Sequence, residues 1–133
     1  MNSGEIIKET GLKVTPQRKM IYELMSESGH STIEEVIAKV QQQDPGITLS
    51  TVYRIVDSFC KAGLLSKLHH PNGKSYYDIT PTEHHHVFLN DLMLDYDDPE
   101  LTSLITNHLK KKSFRYSDFI ERISIQIIVS NAN

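Results

Sequence analysis

Seven histidines stand in the 133-residue chain, and three of them are consecutive: His84, His85 and His86. In an extended strand successive side chains alternate faces, so His84 and His86 share one face and His85 takes the other. Two imidazoles side by side supply half of a four- or five-ligand metal site. Asp78 ends the strand expected just upstream, Asp95 lies on the strand expected to pair with the histidine strand, and His30 stands at a helix start between Gly29 and Ser31. Three imidazoles with two carboxylates make a nitrogen/oxygen set suited to iron(II), manganese(II) or zinc, with no thiolate to favour zinc or copper(I). The competing reading is a surface strand of histidines with ordinary hydrogen-bond partners.

A second chemistry sits nearer the N-terminus. Ser50, Thr51, Tyr53 and Arg54 gather at the start of a helix, followed on the same face by Asp57 and Lys61; the opposite face is apolar through Val52, Ile55, Val56 and Phe59. The second helix of a helix-turn-helix puts its first residues into the major groove. Tyrosine there can meet a thymine methyl or a phosphate, and arginine can grip guanine with two hydrogen bonds. Lys13, Thr15, Gln17 and Arg18 surround the start of an earlier helix, where side chains and helix N–H groups hold phosphates. Lys67, His69 and Lys74 could do the same from a hairpin. The plainer alternative is a solvated polar face on a protein-binding module.

The elements that must position these residues are legible in outline. Ser3 to Thr10 reads as a short helix closed by Gly11. Thr15-Pro16 is an N-cap followed by proline at the first helical position, with Met20, Ile21, Leu24 and Met25 inward and Gly29 at the end. Ser31 with Glu34 predicts a capping box opening a third helix with Ile33, Val36, Ile37 and Val40 inward, stopped by Asp44-Pro45-Gly46. Ser50 is the expected cap of the fourth helix, and Gly63 occupies the position just past its end. Leu64 to His69 and Lys74 to Thr80 then predict two strands joined at His70-Pro71-Asn72-Gly73, where Asn-Gly favours a hairpin. Helices followed by such a hairpin define a winged helix-turn-helix over residues 1–80.

Thr80-Pro81-Thr82 reads as a hinge into a smaller unit over residues 81–133. There, His84 to Asn90 and Leu92 to Tyr96 predict a hairpin about Asn90-Asp91. Pro99 to Lys112 predicts a helix with Leu101, Leu104, Ile105 and Leu109 inward, and Arg122 to Val129 a β-rich end. The fold class is therefore α+β: a winged helix-turn-helix followed by a small α+β domain. A unit of about 50 residues buries little apolar surface, so pairing with a second copy is expected.

Charge is divided unevenly. Residues 1–80 carry nine Lys/Arg against nine Asp/Glu; residues 81–133 carry five against eight, which accounts for the whole net charge of −3. A neutral winged half implies weak DNA binding by one copy and so a two-fold arrangement. The sequence has no run of 18 apolar residues for a membrane span and no signal-like start, and its one cysteine, Cys60, excludes an internal disulfide or multi-cysteine zinc site; a cytoplasmic protein is expected. A small metal-dependent hydrolase is the rival class, but HExxH, a Gly-rich phosphate loop and a nucleophile elbow are all missing, so neither an enzyme nor a small-molecule substrate is expected.

Gly11-Leu12-Lys13-Val14-Thr15-Pro16-Gln17-Arg18, Ile47-Thr48-Leu49-Ser50-Thr51-Val52-Tyr53-Arg54 and Ala62-Gly63-Leu64-Leu65 resemble the ferric uptake regulator (Fur) family over nearly the whole chain. The resemblance implies a homodimeric, metal-dependent winged-helix repressor of operator DNA, with a C-terminal dimerisation domain. It implies a regulatory metal at the hinge held by His30, Asp78, His84, His86 and Asp95, and places Tyr53 and Arg54 on the recognition helix. Most members follow the histidine motif with Cys-x-x-Cys, which binds a structural zinc. Here Val87 to Leu92 stand instead, so no such zinc is expected, Leu89 and Leu92 are expected to pack in its place, and strand pairing through Ile123 to Val129 is expected to hold the dimer. The family's additional metal site looks degraded: Glu83 and His85 are available, Thr102 replaces a carboxylate, and His108 would have to turn inward. Asp95, where iron sensors usually carry glutamate, points to iron- or manganese-bound peroxide sensing over iron or zinc uptake control.

Overall fold

Asn, Thr and Asp side chains cap the starts of the α-helices, and positive-φ glycines follow three of them. In the computed structural model, which describes residues 1–79 and 84–131, the chain divides into two compact units, Met1–Pro81 and Thr82–Asn133. The expected hinge at Thr80-Pro81-Thr82 and the candidate ligand Glu83 fall outside the described residues.

In the first unit, α1 spans Ser3–Glu9 and α2 spans Pro16–Ser28. The Thr15 hydroxyl accepts the Arg18 N–H at 3.2 Å, and Gly29 ends α2 with φ 75°. Next comes an element that periodicity did not predict: a three-residue strand, β1, over His30–Thr32. It moves the start of α3 (Ile33–Gln43), which is capped by Thr32 rather than by Ser31; the Thr32 hydroxyl accepts the Glu35 N–H at 3.2 Å. Ser31 is buried, its Oγ 2.8 Å from that of Ser28. The cap of α4 (Leu49–Lys61) is likewise Thr48, not Ser50. Thr48 has the extended backbone a cap needs (φ −84°, ψ 153°), whereas Ser50 is already helical. Past the end of α4, Gly63 adopts φ 82°, and the Leu64 N–H reaches back to the Phe59 carbonyl at 2.9 Å.

The wing follows as β2 (Ser66–His69) and β3 (Ser75–Asp78), both shorter than expected. The sheet runs β1-β3-β2, all antiparallel, and its register sets His30 opposite Asp78. Ile21, Val36, Val40, Val52, Val56 and Phe59 are at the centre of the core beneath it.

In the second unit β4 (His85–Leu89) and β5 (Leu92–Tyr96) pair antiparallel about Asn90, whose φ of 55° suits the tight turn. Asp98 caps α5 (Pro99–Lys111), and a short 3₁₀ turn at Ser117–Phe119 leads to β6 (Gln126–Val129). The strand order is β5-β4-β6, with β6 parallel to β4. A parallel neighbour requires a crossover, which α5 and the segment after it supply. Two expectations fail here. Leu104 is 61% exposed rather than inward, and Leu92 is exposed rather than packed in place of a zinc. Phe88 and Met93 are the buried apolar side chains among the described residues of this unit.

Candidate metal centre and nucleic-acid face

Strand alternation builds the metal centre. His84 immediately precedes β4 and His86 lies within it, and their rings meet edge to face with centroids 4.6 Å apart. Register puts His86 opposite Asp95 on β5. Asp95 Oδ1 lies 3.4 Å from His84 Nε2 and 3.9 Å from His86 Nε2. These separations are long for hydrogen bonds. They match donors sharing one ion, since ligands each about 2.1 Å from a metal lie roughly 3–4 Å apart. Both imidazoles are buried while Asp95 is exposed, so the pair is held by the fold with an ionisable group at its open side. Two imidazole nitrogens and a carboxylate fit iron(II), manganese(II) or zinc.

In the first unit, His30 and Asp78 are a register pair on adjacent strands, and Asp78 is buried. Sequence reasoning selected both but missed the strand that pairs them. His-Ser-Thr is too short for a period to register, and its pairing is set by β3. Of the residues considered for an additional site, His85 is buried against Thr102, whereas His108 is exposed on α5 and does not join them.

The nucleic-acid face is built by two helix starts. Lys13, Thr15, Gln17 and Arg18 share one cleft of about 410 Å³ with Thr51, Arg54 and Ile55. Three cations and no carboxylate line it, so the neutral unit is locally positive. Arg18 Nη1 donates to the Lys13 carbonyl at 2.6 Å, which fixes the guanidinium and leaves its other donors available. Arg54 Nη2 lies 3.4 Å from Thr51 Oγ1, and Thr51 is in turn held at 2.8 Å by the Thr48 hydroxyl. Ser50 and Tyr53 are exposed on α4 without lining the cleft. The earlier cap makes Leu49 the first residue of α4, one that the sequence did not single out: it is 51% exposed, one turn before Tyr53 on the same helix face. On the wing, Lys67 Nζ lies 5.8 Å from the centre of the Tyr77 ring, and His69 Nδ1 is 3.2 Å from Ser75 Oγ.

Cys60, half buried on α4, has its thiol pushed up by burial and then by the charge of Asp57, which suits a packed side chain rather than a reactive thiolate. No helix among the described residues is long and apolar enough to cross a membrane.

A winged helix with a cationic cleft on its second and fourth helices, joined to a small sheet carrying two buried imidazoles and a carboxylate, defines a metal-linked transcription-factor architecture. The comparisons give that class its family. The model of the ferric uptake regulator family matches residues 9–122, and the chain belongs to this family of transcriptional regulators. The ferric uptake regulation protein of Rhizobium leguminosarum bv. viciae is 30% identical over 118 residues, 86% of this chain and 83% of its own. Among solved structures, the ferric uptake regulator of Vibrio cholerae matches with TM-score 0.73 and 28% identity over 94% of this chain and 96% of its own. The Campylobacter jejuni peroxide stress regulator matches with TM-score 0.75 and 26% identity over 100% of this chain and 98% of its own.

Proposed function

We propose that the chain is a metal-dependent repressor that binds double-stranded operator DNA as a homodimer, its metal held by His30, Asp78, His84, His86 and Asp95. The observation that carries this reading is the convergence of His84, His86 and Asp95 on one point of the second unit. The His30–Asp78 register pair in the first unit is the matching half. Donors drawn from both units would favour one arrangement of the winged helices over others. Metal occupancy then changes DNA affinity by as much as it differs between arrangements. Lys13, Thr15, Gln17 and Arg18 hold phosphates, while Ser50, Thr51, Tyr53 and Arg54 face the bases. Iron(II) or manganese(II) is the resident metal in this reading, with zinc a further ion that the nitrogen/oxygen donor set accommodates. Asp95 and the likeness to a peroxide stress regulator favour peroxide as the signal; control of iron or zinc uptake is the second reading.

Calorimetric titration of the metal-stripped chain with manganese(II), beside the His84→Ala/His86→Ala double variant, tests the site. One ion per chain, lost in the double variant and weakened in Asp78→Asn, is the expected result. Binding unchanged in the double variant would remove the histidines from the site. For the signal, iron-loaded protein treated with hydrogen peroxide should lose a duplex selected from random sequences, and manganese-loaded protein should keep it. Retention by both forms would favour uptake control.

A further inference from the structure

The middle histidine of the run points away from the metal ridge, and its surroundings assign it a different task. His85 is 1% exposed on β4. Its Nδ1 accepts the backbone N–H of Ile125 at 3.1 Å, and its Nε2 lies 2.7 Å from the Thr102 hydroxyl. A backbone N–H can only donate, so Nδ1 is the bare nitrogen and the neutral ring carries its proton on Nε2. Thr102 Oγ1 receives that proton as an acceptor and points its own hydrogen to the Asp98 carbonyl, 3.4 Å away. Every donor in this relay meets an acceptor, all running in one direction. The segment entering β6 is gripped a second time, because the His86 N–H donates to the Ile125 carbonyl at 3.0 Å.

This ring borders a cavity of about 360 Å³ lined by His84, His85, Asp97, Asp98, Pro99 and Thr102, among others, whose composition alone reads as a second metal site. The hydrogen bonds say otherwise. Both nitrogens of His85 are engaged, and a metal on Nε2 would have to expel its proton and displace Thr102. The Asp98 carboxylate is committed as well, Oδ1 to the Leu101 N–H at 3.0 Å and Oδ2 to the Tyr96 hydroxyl at 2.8 Å.

We propose that His85 is a positioning residue and not a ligand: a neutral tie joining β4 to α5 and to the start of β6, which presets His84 and His86 on the opposite face and keeps a second metal out of this cavity. Groups that orient metal ligands typically change affinity by about 10- to 100-fold when removed. The affinity part of this inference rests on the metal reading above; the tautomer and the hydrogen bonds do not.

The test uses the full-length chain and zinc(II), which is diamagnetic. In nitrogen-15 imidazole NMR spectra, the metal-free protein should show His85 protonated at Nε2, and the signal should persist through saturating zinc. Native mass spectrometry should count one zinc per chain. His85→Leu, confirmed as folded by circular dichroism, should bind zinc at least tenfold more weakly with the one-to-one ratio kept. His85→Gln, which retains a donor for Thr102, should recover most of the affinity. A second zinc that abolishes the Nε2–H signal, or unchanged affinity in His85→Leu, would overturn the proposal. If the leucine variant does not fold, the wild-type NMR titration decides alone. If the wild type binds no zinc while the Nε2–H tautomer stands, the metal reading fails and the tie survives.

Discussion

Arg18 and Arg54 line the same cleft, but their anchoring differs, and so should their loss. Arg18 is fixed by the Lys13 carbonyl beside the N-terminus of α2, the place proposed to hold phosphate; Arg54 is on the exposed face of α4. Arg18→Ala should weaken binding to all duplexes alike and lower the dependence of log affinity on log salt by about one unit. Arg54→Ala should cost roughly 1–3 kcal/mol and relax preference at one base pair. Fluorescence anisotropy across salt concentrations and single-base variants separates the two; equal scaling in both variants would sink the assignment. Asp98 makes a prediction of a different kind. The Leu101 N–H, then the Tyr96 hydroxyl, hold its carboxyl below the ordinary value of 3.8. A depressed carboxyl stabilises the fold above its unfolded pKa and loses that contribution as pH falls through the folded one. The stability gap between wild type and Asp98→Ala, read by urea unfolding, should therefore be full at neutral pH and shrink below about pH 4. A pH-independent gap would mean that the charge plays no part. At this scale the sequence was most legible where period-2 geometry acts, as for His84 and His86, and silent where a backbone partner comes from afar, as for Ile125 on His85.

Element ends turn on single residues. Thr32 caps α3 and Gly63 closes α4, each through one local geometry. Thr32→Ala removes the acceptor for the Glu35 N–H and should cost about 1 kcal/mol. Gly63→Ala meets nothing within 4 Å of the added carbon, yet φ is +82°, so backbone strain alone should cost about 1 kcal/mol. Urea midpoints should fall for both with m-values unchanged; an unaltered midpoint in Gly63→Ala would show that the helix end relaxes. Helices were legible as elements because apolar spacing repeats over three or more turns. Their first residues were less so. Ser31-Thr32 and Thr48-Leu49-Ser50 each offer two caps, and at the first of these the pairing of β1 with β3 selects the later hydroxyl. Leu104 was misplaced because helical periodicity identifies an apolar side without saying what covers it.

The two units differ in how they handle apolar surface, and that difference bears on the whole molecule. The winged unit closes over its own core, while the second unit leaves Leu92, Leu94, Tyr96, Leu104, Phe119, Ile127 and Ile128 exposed. Register orders part of this surface: Leu94 and Ile127 both sit beside Val87, so the three form one row across β5, β4 and β6. Alternation sends Leu92 and Tyr96 to the same face as Leu94. An apolar sheet face of this kind marks an interface, and a second copy is the occupant that the proposed two-fold DNA binding calls for. A neutral winged unit gains little from phosphates alone, whereas two units on a two-fold site bind with a high effective concentration for the second contact. Leu94→Glu puts a carboxylate at the β5 end of that row, where pairing would bury it without a partner. In sedimentation equilibrium the variant should be monomeric at concentrations where the wild type is dimeric. It should bind operator duplex at least tenfold more weakly, and the wild type's manganese stoichiometry should be retained. A Leu94→Glu dimer of unchanged strength would move the interface off this face, to the Ile123 to Val129 edge; a monomer with undiminished DNA affinity would show that one winged helix suffices.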